Sequence, residues 1–236
     1  MQLHQLTEHI YYTDHDPAVD RPVLGYITGS RFAVMIDAGN SASHVQDYLT
    51  LLTAQGLKAP KYCALTHWHW DHTFGLHAFP GETIACRQTN DELRRLAQWS
   101  WDEAAMQARL AAGTEIAFAD EHIRTEYAHP EDIIVRKAAI TFDNTLELDL
   151  GGLTCRLLHV PSAHSEDAVV IHIPEEQLLF IGDCYNDDFY HDHYRDLSKT
   201  RALHAALDLL DFELALPGHS APLAKTDLLA FLQRFF

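Results

Sequence analysis

The stretch THWHWDHTFG, residues 66–75, limits the fold most, because it carries four potential metal ligands in six positions directly after an apolar segment. That segment, KYCALTH, is typical of a short buried strand. A lone histidine usually packs or faces solvent, whereas three imidazoles and a carboxylate so close together indicate a metal site. The chain must therefore end a strand where further ligands can gather. The four potential ligands are His67, His69, Asp71 and His72.

The segments on either side predict a layered α/β fold. Three strand-like segments, EHIYYT, PVLGYITG and RFAVMIDAG, precede an amphipathic helix, HVQDYLTLLTAQG. After about residue 130 come the strands AITF, TLELDL, LTCRLLHV, AVVIHI and QLLFIG, a helix over 196–211, the strand ELALP and the helix TDLLAFLQRFF. Two groups of strands, each followed by helices, predict two sheets packed face to face with helices outside, in one domain over residues 1–236.

Residues 88–130 predict a helical insertion between the two groups of strands. Apolar residues recur there at helical spacing, while Trp99, Met106 and Leu110 fall off the main stripe. Two interpretations stay open: a broad core face, or a cap over the active site whose extra apolar residues line a substrate pocket. The stripe consists of Leu93, Leu96, Ala97, Trp101, Ala104, Ala108 and Ala111.

The charge of the chain excludes some partners. Seventeen Lys and Arg against 34 Asp and Glu give a net charge of −17, which repels nucleic acid and anionic membranes. The N-terminal residues lack a basic segment followed by an apolar run, and no stretch approaches the roughly 20 apolar residues of a membrane span. We expect a cytoplasmic protein acting on a small molecule, without nucleic acid or membrane partners; an oligomer is compatible with the sequence. Its dispersed cysteines are expected to be reduced.

Three further potential ligands directly follow apolar strands. His164 lies in VPSAHSED, Asp183 in LLFIGDC and His219 in LALPGHS. Because strand ends in layered α/β folds assemble sites at one edge, these side chains can converge on the first cluster although they are distant in sequence. Neutral imidazole and carboxylate are the ligands of zinc, and catalytic zinc sites leave one position open for water.

Together these motifs resemble the metallo-β-lactamase superfamily. The match consists of H-x-H-x-D-H, a later loop histidine, an apolar-Gly-Asp turn and a final Gly-His, and MIDAG with Asp37 matches the first motif of the family. The resemblance covers the whole chain in the right order. It implies a four-layer αββα sandwich with a dinuclear metal site at one edge, and a supporting, non-ligand role for Asp37.

The resemblance also implies how the ligands are shared. One ion would be bound by three histidines, the other by one aspartate and two histidines, with a second aspartate between them. The first set would be His67, His69 and His164, the second Asp71, His72 and His219, and the bridging residue Asp183.

The implied chemistry is hydrolysis. Two divalent ions, Zn²⁺ foremost with Fe or Mn as alternatives, lower the pKa of bound water from 15.7 toward about 7 and so supply hydroxide. Asp71 would orient this metal-bound hydroxide toward an ester, lactone, thioester or amide. The alternatives are a β-lactamase-like or glyoxalase II-like hydrolase, an iron-dependent oxidoreductase or dioxygenase on the same ligands, and a protein that binds metal without turnover.

Departures from individual branches of the family narrow these alternatives. Cys184 stands at the position of a metal-binding Cys in one lactamase branch, but Asp183 beside it suits a paired oxygen-bridged site, so Asp183 is favoured as the ligand. Asp187 stands where many lactamases have a Lys that pairs with the antibiotic carboxylate, which disfavours β-lactamase activity. Glyoxalase II adds a helical C-terminal region with basic residues, whereas here the final helix follows His219 with Lys225 and Arg234 as its basic residues, which disfavours that alternative. Lactonases share the ligand set and approximate length.

The loop NDDFYHDHYRD follows Asp183 closely and has two interpretations, a solvated acidic loop or a substrate-facing rim. On the second interpretation, Tyr185 and Tyr190 are substrate-binding candidates that donate hydrogen bonds to a substrate oxygen. The loop after the first strand would form the opposite rim, with His15, Asp16 and Asp20.

Overall fold

The structure, a computed structural model that describes residues 1–236, contains two β-sheets. The first sheet has seven strands in chain order: β1 Leu3–Gln5, β2 Ile10–Thr13, β3 Gly25–Thr28, β4 Ala33–Ile36, β5 Tyr62–Ala64, β6 Glu82–Cys86 and β7 Ile140–Phe142. The second has six strands in the spatial order β13-β12-β11-β10-β9-β8: β8 Thr145–Asp149, β9 Thr154–His159, β10 Val169–Ile173, β11 Leu178–Gly182, β12 Leu214–Pro217 and β13 Leu223–Ala224. The short edge strands β1 and β13 were not predicted, because two or three partly exposed residues show no clear period.

Seven α-helices accompany the sheets. They are α1 Ala42–Ala54, α2 Trp70–Thr73, α3 Arg87–Leu96, α4 Glu103–Ala111, α5 Ala117–Glu126, α6 Leu197–Asp208 and α7 Lys225–Gln233. Side-chain caps fix several starts; the Ser41 hydroxyl accepts from the His44 amide at α1, and the Asp196 carboxylate accepts from two amides at α6. None of these helices combines the length and the apolar character that crossing a bilayer requires.

The predicted αββα sandwich is confirmed, and strand β4 shows why. Val34 and Ile36 belong to the apolar core between the sheets, while Ala33 and Met35 face the outer layer that contains α1. Alternate residues of β11 divide in the same way between the central core and the layer of α6 and α7. A strand covered on both faces has no polar side to present, so it reads as a continuous apolar run.

One edge of the sandwich brings several strand ends together. Strands β4 and β5 are parallel neighbours in the first sheet, and β11 and β12 are parallel neighbours in the second, so in each pair the C-terminal ends lie side by side. The two sheets are joined at this edge, where the Val169 amide donates to the Thr66 carbonyl over 2.7 Å. Loops that follow these strands are therefore held close to one another.

The insertion over residues 88–130 contains three helices, and beyond Leu96 the predicted single stripe is wrong for every member except Trp101, which is buried. The chain leaves helical geometry between α3 and α4, and the helical period does not carry across such a break. Met106, predicted off the stripe, is buried, whereas the four alanines predicted on it are exposed. The buried face of the insertion packs on Trp70 and Phe74. Both belong to residues 66–75, which carry the first four potential ligands and are called the ligand loop below.

Candidate metal centre

The ligand loop directly follows β5 and is buried. His67 lies three residues after the end of the strand, and His69 immediately precedes the single helical turn α2. Asp71 and His72 belong to that turn, and all four residues are at most 7% exposed. Burial lowers the pKa of His67 and of His69 well below the usual range, so both imidazoles are neutral, the form that binds metals.

A buried carboxylate fixes this loop. Asp37 follows β4 with a φ of 58°, a left-handed conformation that aspartate tolerates better than most residues. One carboxylate oxygen accepts from the Thr66 amide at 2.7 Å, and the other accepts from the Thr66 hydroxyl and from His72 Nδ1, each at 2.8 Å. This arrangement leaves His72 Nε2 directed at the site, which is the supporting role that the resemblance implied for Asp37.

His164 is positioned by main-chain and hydroxyl contacts instead. Its Nδ1 donates to the Asp187 carbonyl at 2.7 Å, and its amide donates to the Ser162 hydroxyl at 3.0 Å. The Asp187 carboxylate lies 2.5 Å from Arg195 Nε, and Arg195 also donates to the Tyr185 carbonyl at 3.0 Å. Asp187 therefore faces a cation of its own chain, and it does not line the cavity described below.

Asp183 and His219 come from the ends of β11 and β12, where the backbone approaches very closely. A Cβ atom on Gly218 would lie 2.3 Å from Asp183 Oδ1 and 2.9 Å from His72 Cε1, so only glycine fits there. The Gly218 amide donates to the Gly182 carbonyl at 3.0 Å and holds the two strand ends together.

All seven predicted residues meet in one place. Ligand atoms within each of three groups lie within 4.8 Å of one another: His67, His69 and His164; His67, His72 and Asp183; and Asp71, His72 and His219. We call the first of these the first group and the last the second group. Asp183 lies between them, with its carboxylate oxygens 3.8 Å from His164 Nε2, 3.8 Å from His72 Nε2 and 3.4 Å from His219 Nε2.

The two groups differ in protonation. Burial lowers the pKa of His164, as it does for the other two imidazoles of the first group. Burial would also lower the pKa of His72 and His219, but neighbouring carboxylates outweigh it, raising the pKa of His72 well above its usual range and that of His219 to about 9. Asp71 is the neighbour they share, 3.1 Å from His72 Nε2 and 3.0 Å from His219 Nε2.

The residues fit divalent metal ions. His67 Nε2, His164 Nε2 and Asp183 Oδ1 are buried and have no hydrogen-bond partner within the protein. Buried polar atoms are rarely left unpaired, and cations held by these groups would give them partners. The set of imidazoles and carboxylates is the one that zinc uses in proteins.

Cys184 lies apart from these groups. Its side chain is 3% exposed and belongs to the apolar cluster beneath α6 and α7, with Leu203 and Leu207. Burial raises the pKa of the thiol, which disfavours the thiolate that metals bind. Of the two neighbours, Asp183 is the one directed into the candidate metal centre.

A cavity of about 340 Å³ opens above the ligands. The predicted rims contribute to it: His15 and Asp20 line one side, and Tyr190 lines another, with its ring centroid 5.3 Å from that of His69. Tyr185 does not line the cavity but packs against Phe231 of α7 at 5.8 Å.

The sequence did not predict one part of the cavity lining. Ile116, Phe118 and Ala119, at the start of α5, line the cavity, although the insertion was expected to contribute other apolar residues. Glu115 is buried near Tyr190, and burial, followed by the negative charge of Glu115, raises the pKa of the Tyr190 phenol well above its usual range. No sequence motif marks these residues; the insertion only suggested where they would be found.

The four layers and the buried set of histidines and aspartates at one edge define an αββα protein with a candidate metal centre. A sequence model described as "Metallo-beta-lactamase superfamily" matches residues 22–219, and the chain belongs to that superfamily. Its residues include groups of histidine and aspartate that could hold a metal ion.

Solved structures agree on the fold. A metallo-beta-lactamase from Pontibacter korlensis superimposes with a TM-score of 0.65 at 17% identity and covers 98% of each chain. The sec-alkylsulfatase Pisa1 from Pseudomonas sp. superimposes with a TM-score of 0.71 at 13% identity, covering 99% of this chain and 40% of that one.

A curated relative is similar in sequence. A linear primary-alkylsulfatase from Pseudomonas sp. (strain ATCC 19151) is 26% identical in an alignment 162 positions long that covers 62% of this chain and 30% of the relative. The chain thus matches less than a third of that enzyme's length. The superfamily therefore includes hydrolases such as alkylsulfatases and β-lactamases.

Proposed function

We propose that this protein is a hydrolase that binds two divalent metal ions, Zn²⁺ foremost with Fe or Mn as alternatives, and cleaves an ester, lactone, thioester or amide of small size. The observation that carries the proposal is the gathering of seven imidazole and carboxylate groups into three sets, within each of which the ligand atoms lie within 4.8 Å of one another. Three of these atoms, His67 Nε2, His164 Nε2 and Asp183 Oδ1, are buried and have no hydrogen-bond partner. When bound, the two cations would lower the pKa of a water molecule and polarise the substrate carbonyl.

The protein's own residues have separate roles in this proposal. The first group, His67, His69 and His164, holds one ion. Asp183 is the residue whose oxygens face both groups, which supports a bridging role. The second group, Asp71, His72 and His219, holds the other ion.

Two side chains would act on the reacting molecules. Asp71 lies between both histidines of the second group and accepts hydrogen bonds, so it would orient the attacking water as well as bind metal. Tyr190 lines the cavity beside His69 and would donate a hydrogen bond to a substrate oxygen. Tyr185 was the other candidate for this role, and its place outside the cavity leaves the proposal with Tyr190.

Purified protein should be analysed for bound metals and tested on esters, lactones, thioesters and amides, with and without a chelator. The alkylsulfatase similarity adds sulfate esters to this panel. We expect about two metal ions per chain and turnover that the chelator abolishes. His164→Gln should lose metal, whereas His159→Gln, a nearby histidine hydrogen-bonded to the Glu166 carbonyl, should keep it. Full metal content in His164→Gln, or turnover independent of metal, would contradict the proposal.

The same experiments address the alternatives. Native iron with dioxygen consumption and no hydrolysis would indicate the oxidoreductase, and bound metal without any turnover would indicate a binding protein. The argument against β-lactamase activity was that Asp187 would repel the antibiotic carboxylate. That argument is weaker now, because the Asp187 carboxylate pairs with Arg195 and does not line the cavity. The cytoplasmic location, the absence of nucleic acid and membrane partners and the open question of oligomerisation stay predictions.

A further inference from the structure

One wall of the cavity above the ligands is apolar. Ile116, Phe118 and Ala119 form it from the start of α5, and Phe189 adds to it from the loop after Asp183. These residues share the cavity with Asp71 and the other ligands that line its floor. A substrate held over the ligands would therefore have its remaining atoms against hydrocarbon.

Phe118 is exposed and does not belong to the apolar core of the insertion. Helix α5 buries Ala119 and Ile123 in a cluster with Trp70 and Phe74 of the ligand loop, and this buried face of α5 stabilises the insertion. Phe118 lies off that face and is 52% exposed, at the mouth of the cavity. Its ring contacts that of His122, one turn further along the same helix, with the ring centroids 4.2 Å apart and tilted. An aromatic side chain that gains little from folding is available to a bound molecule.

The charged residues that line the cavity also favour an uncharged substrate tail. None of the fifteen residues that line it is Lys or Arg, whereas three of them are aspartates, Asp20, Asp71 and Asp183. Arg195 is paired with Asp187 and Arg21 with Glu126. Asp71 and Asp183 would bind metal, so a negative group held away from the metal ions would find Asp20 and no lining Lys or Arg to compensate its charge.

We propose that the part of the substrate which does not react is an uncharged apolar chain or ring that lies along Ile116, Phe118 and Phe189. This inference rests on the proposed hydrolase and names its substrate class: esters or related compounds with an apolar tail and no remote anionic group. Phe118 is then a specificity-determining residue that touches the substrate tail and does not take part in bond cleavage.

The test compares substrates of matched length. Metal-loaded protein is given 4-nitrophenyl acetate, butanoate and hexanoate, together with mono-4-nitrophenyl hexanedioate, in which a carboxylate replaces the terminal methyl group of the hexanoate. We expect kcat/KM to rise about fourfold per buried methylene, from about 0.8 kcal/mol each. The hexanedioate should react at least about tenfold more slowly than the hexanoate, since its remote charge would lie against an apolar wall with no lining Lys or Arg to compensate it.

Introducing a positive charge at the cavity mouth makes the test more specific. Phe118→Arg should raise the ratio of hexanedioate to hexanoate turnover by about tenfold or more, because a cation then faces the remote carboxylate. Leu209→Arg is the matched control, since Leu209 is 87% exposed and lies outside the cavity. An unchanged ratio in Phe118→Arg, or equal rates for the two six-carbon substrates in the unaltered protein, would overturn the inference.

A binding measurement separates this inference from the proposed function. Dissociation constants of 1-hexanol and 6-hydroxyhexanoate are measured by tryptophan fluorescence, since Trp70 lines the cavity. We expect tighter binding of the alcohol, and a preference that shifts toward the anion in Phe118→Arg. If no ester is hydrolysed but this preference holds, the hydrolase proposal fails and the apolar site stands; if esters react and the preference is absent, the reverse is true.

Discussion

The first and second groups of ligands lie in one site but are held by different means. In the second group, His72 is fixed by the Asp37 carboxylate, which also accepts two hydrogen bonds from Thr66 in the ligand loop. In the first group, His164 is fixed by the Asp187 carbonyl, on a surface loop tied down by Arg195. A buried carboxylate raises the proton affinity of the imidazole it contacts, whereas a carbonyl orients the ring without adding charge. The two proposed metal positions should therefore respond differently to mutation and to pH.

Asp183→Ala should have the largest effect, because Asp183 is the residue that faces both groups. We expect metal to be lost from both positions and kcat/KM to fall by more than about 10³-fold. Metal analysis and steady-state kinetics measure this, with Asp143→Ala, on an exposed surface ion pair, as control. Loss of a single metal ion would mean that Asp183 belongs to one group only.

The two positions should differ in pH dependence. His72 and His219 have raised pKa values in the metal-free protein, about 9 for His219, so a metal ion must displace protons from the second group at any lower pH. Affinity there should fall as the pH falls, by about 100-fold between pH 9 and 7 for each displaced proton. The imidazoles of the first group have lowered pKa values and should bind with little change over the same range. Chelator competition at several pH values measures both affinities, and parallel curves would contradict the difference.

Asp37→Ala should weaken the second group selectively. Removing a carboxylate that orients a ligand typically costs about 10- to 100-fold in metal affinity. The Thr66 amide would also lose its buried acceptor, which should lower the free energy of unfolding by about 1–3 kcal/mol. Metal titration and chemical denaturation test the two parts, and Asp37→Asn should preserve more of the stability than of the affinity.

Arg195→Gln is the corresponding change for the first group. Without the guanidinium, the segment from Tyr185 to Asp187 loses its ion pair and a main-chain hydrogen bond, so the carbonyl that orients His164 is held less firmly. We expect about tenfold weaker binding at the first position and an unchanged second position. Titration with Co²⁺, followed by its ligand-field absorption, distinguishes the two. Arg201→Gln, which removes a cation stacked on Phe236, is the control; equal weakening at both positions would make Arg195 a general stabiliser.

Cys184→Ser should have the smallest effect on the site. The thiol packs among apolar side chains beneath α6, so both metal ions should stay bound and activity should stay within about twofold. Burying a hydroxyl there should lower the free energy of unfolding by about 1–2 kcal/mol. Loss of a metal in this variant would show that Cys184, and not its neighbour, is the ligand.

Much of the fold and the ligand set could be predicted because both produce recognisable patterns of apolar and polar residues in the sequence. Strands covered on both faces, such as β4 and β11, are continuous apolar runs, and polar ligands that follow them directly, such as Asp183, stand out by contrast. The packing of the insertion could not be predicted in the same way. Between Leu96 and Glu103 the chain leaves the helix, and the period that was extended across this gap has no physical basis.

The supports of His164 could not be predicted either. The Asp187 carbonyl is a main-chain atom that every residue possesses, so its role depends on where the loop runs and not on the side chain. Asp37 was recognisable because its motif matched the family, whereas Arg195 is one arginine among several and becomes visible only through its contacts.

The hydrogen bond from Val169 to Thr66 joins the two sheets beside the site, and the site needs both of them. His67, His69, Asp71 and His72 follow a strand of the first sheet, whereas His164, Asp183 and His219 follow strands of the second. During synthesis, a growing chain that has folded only its first sheet offers neither position a complete set of ligands. We therefore expect metal acquisition to be a late step of biogenesis, with the second position, which waits for His219, filled last.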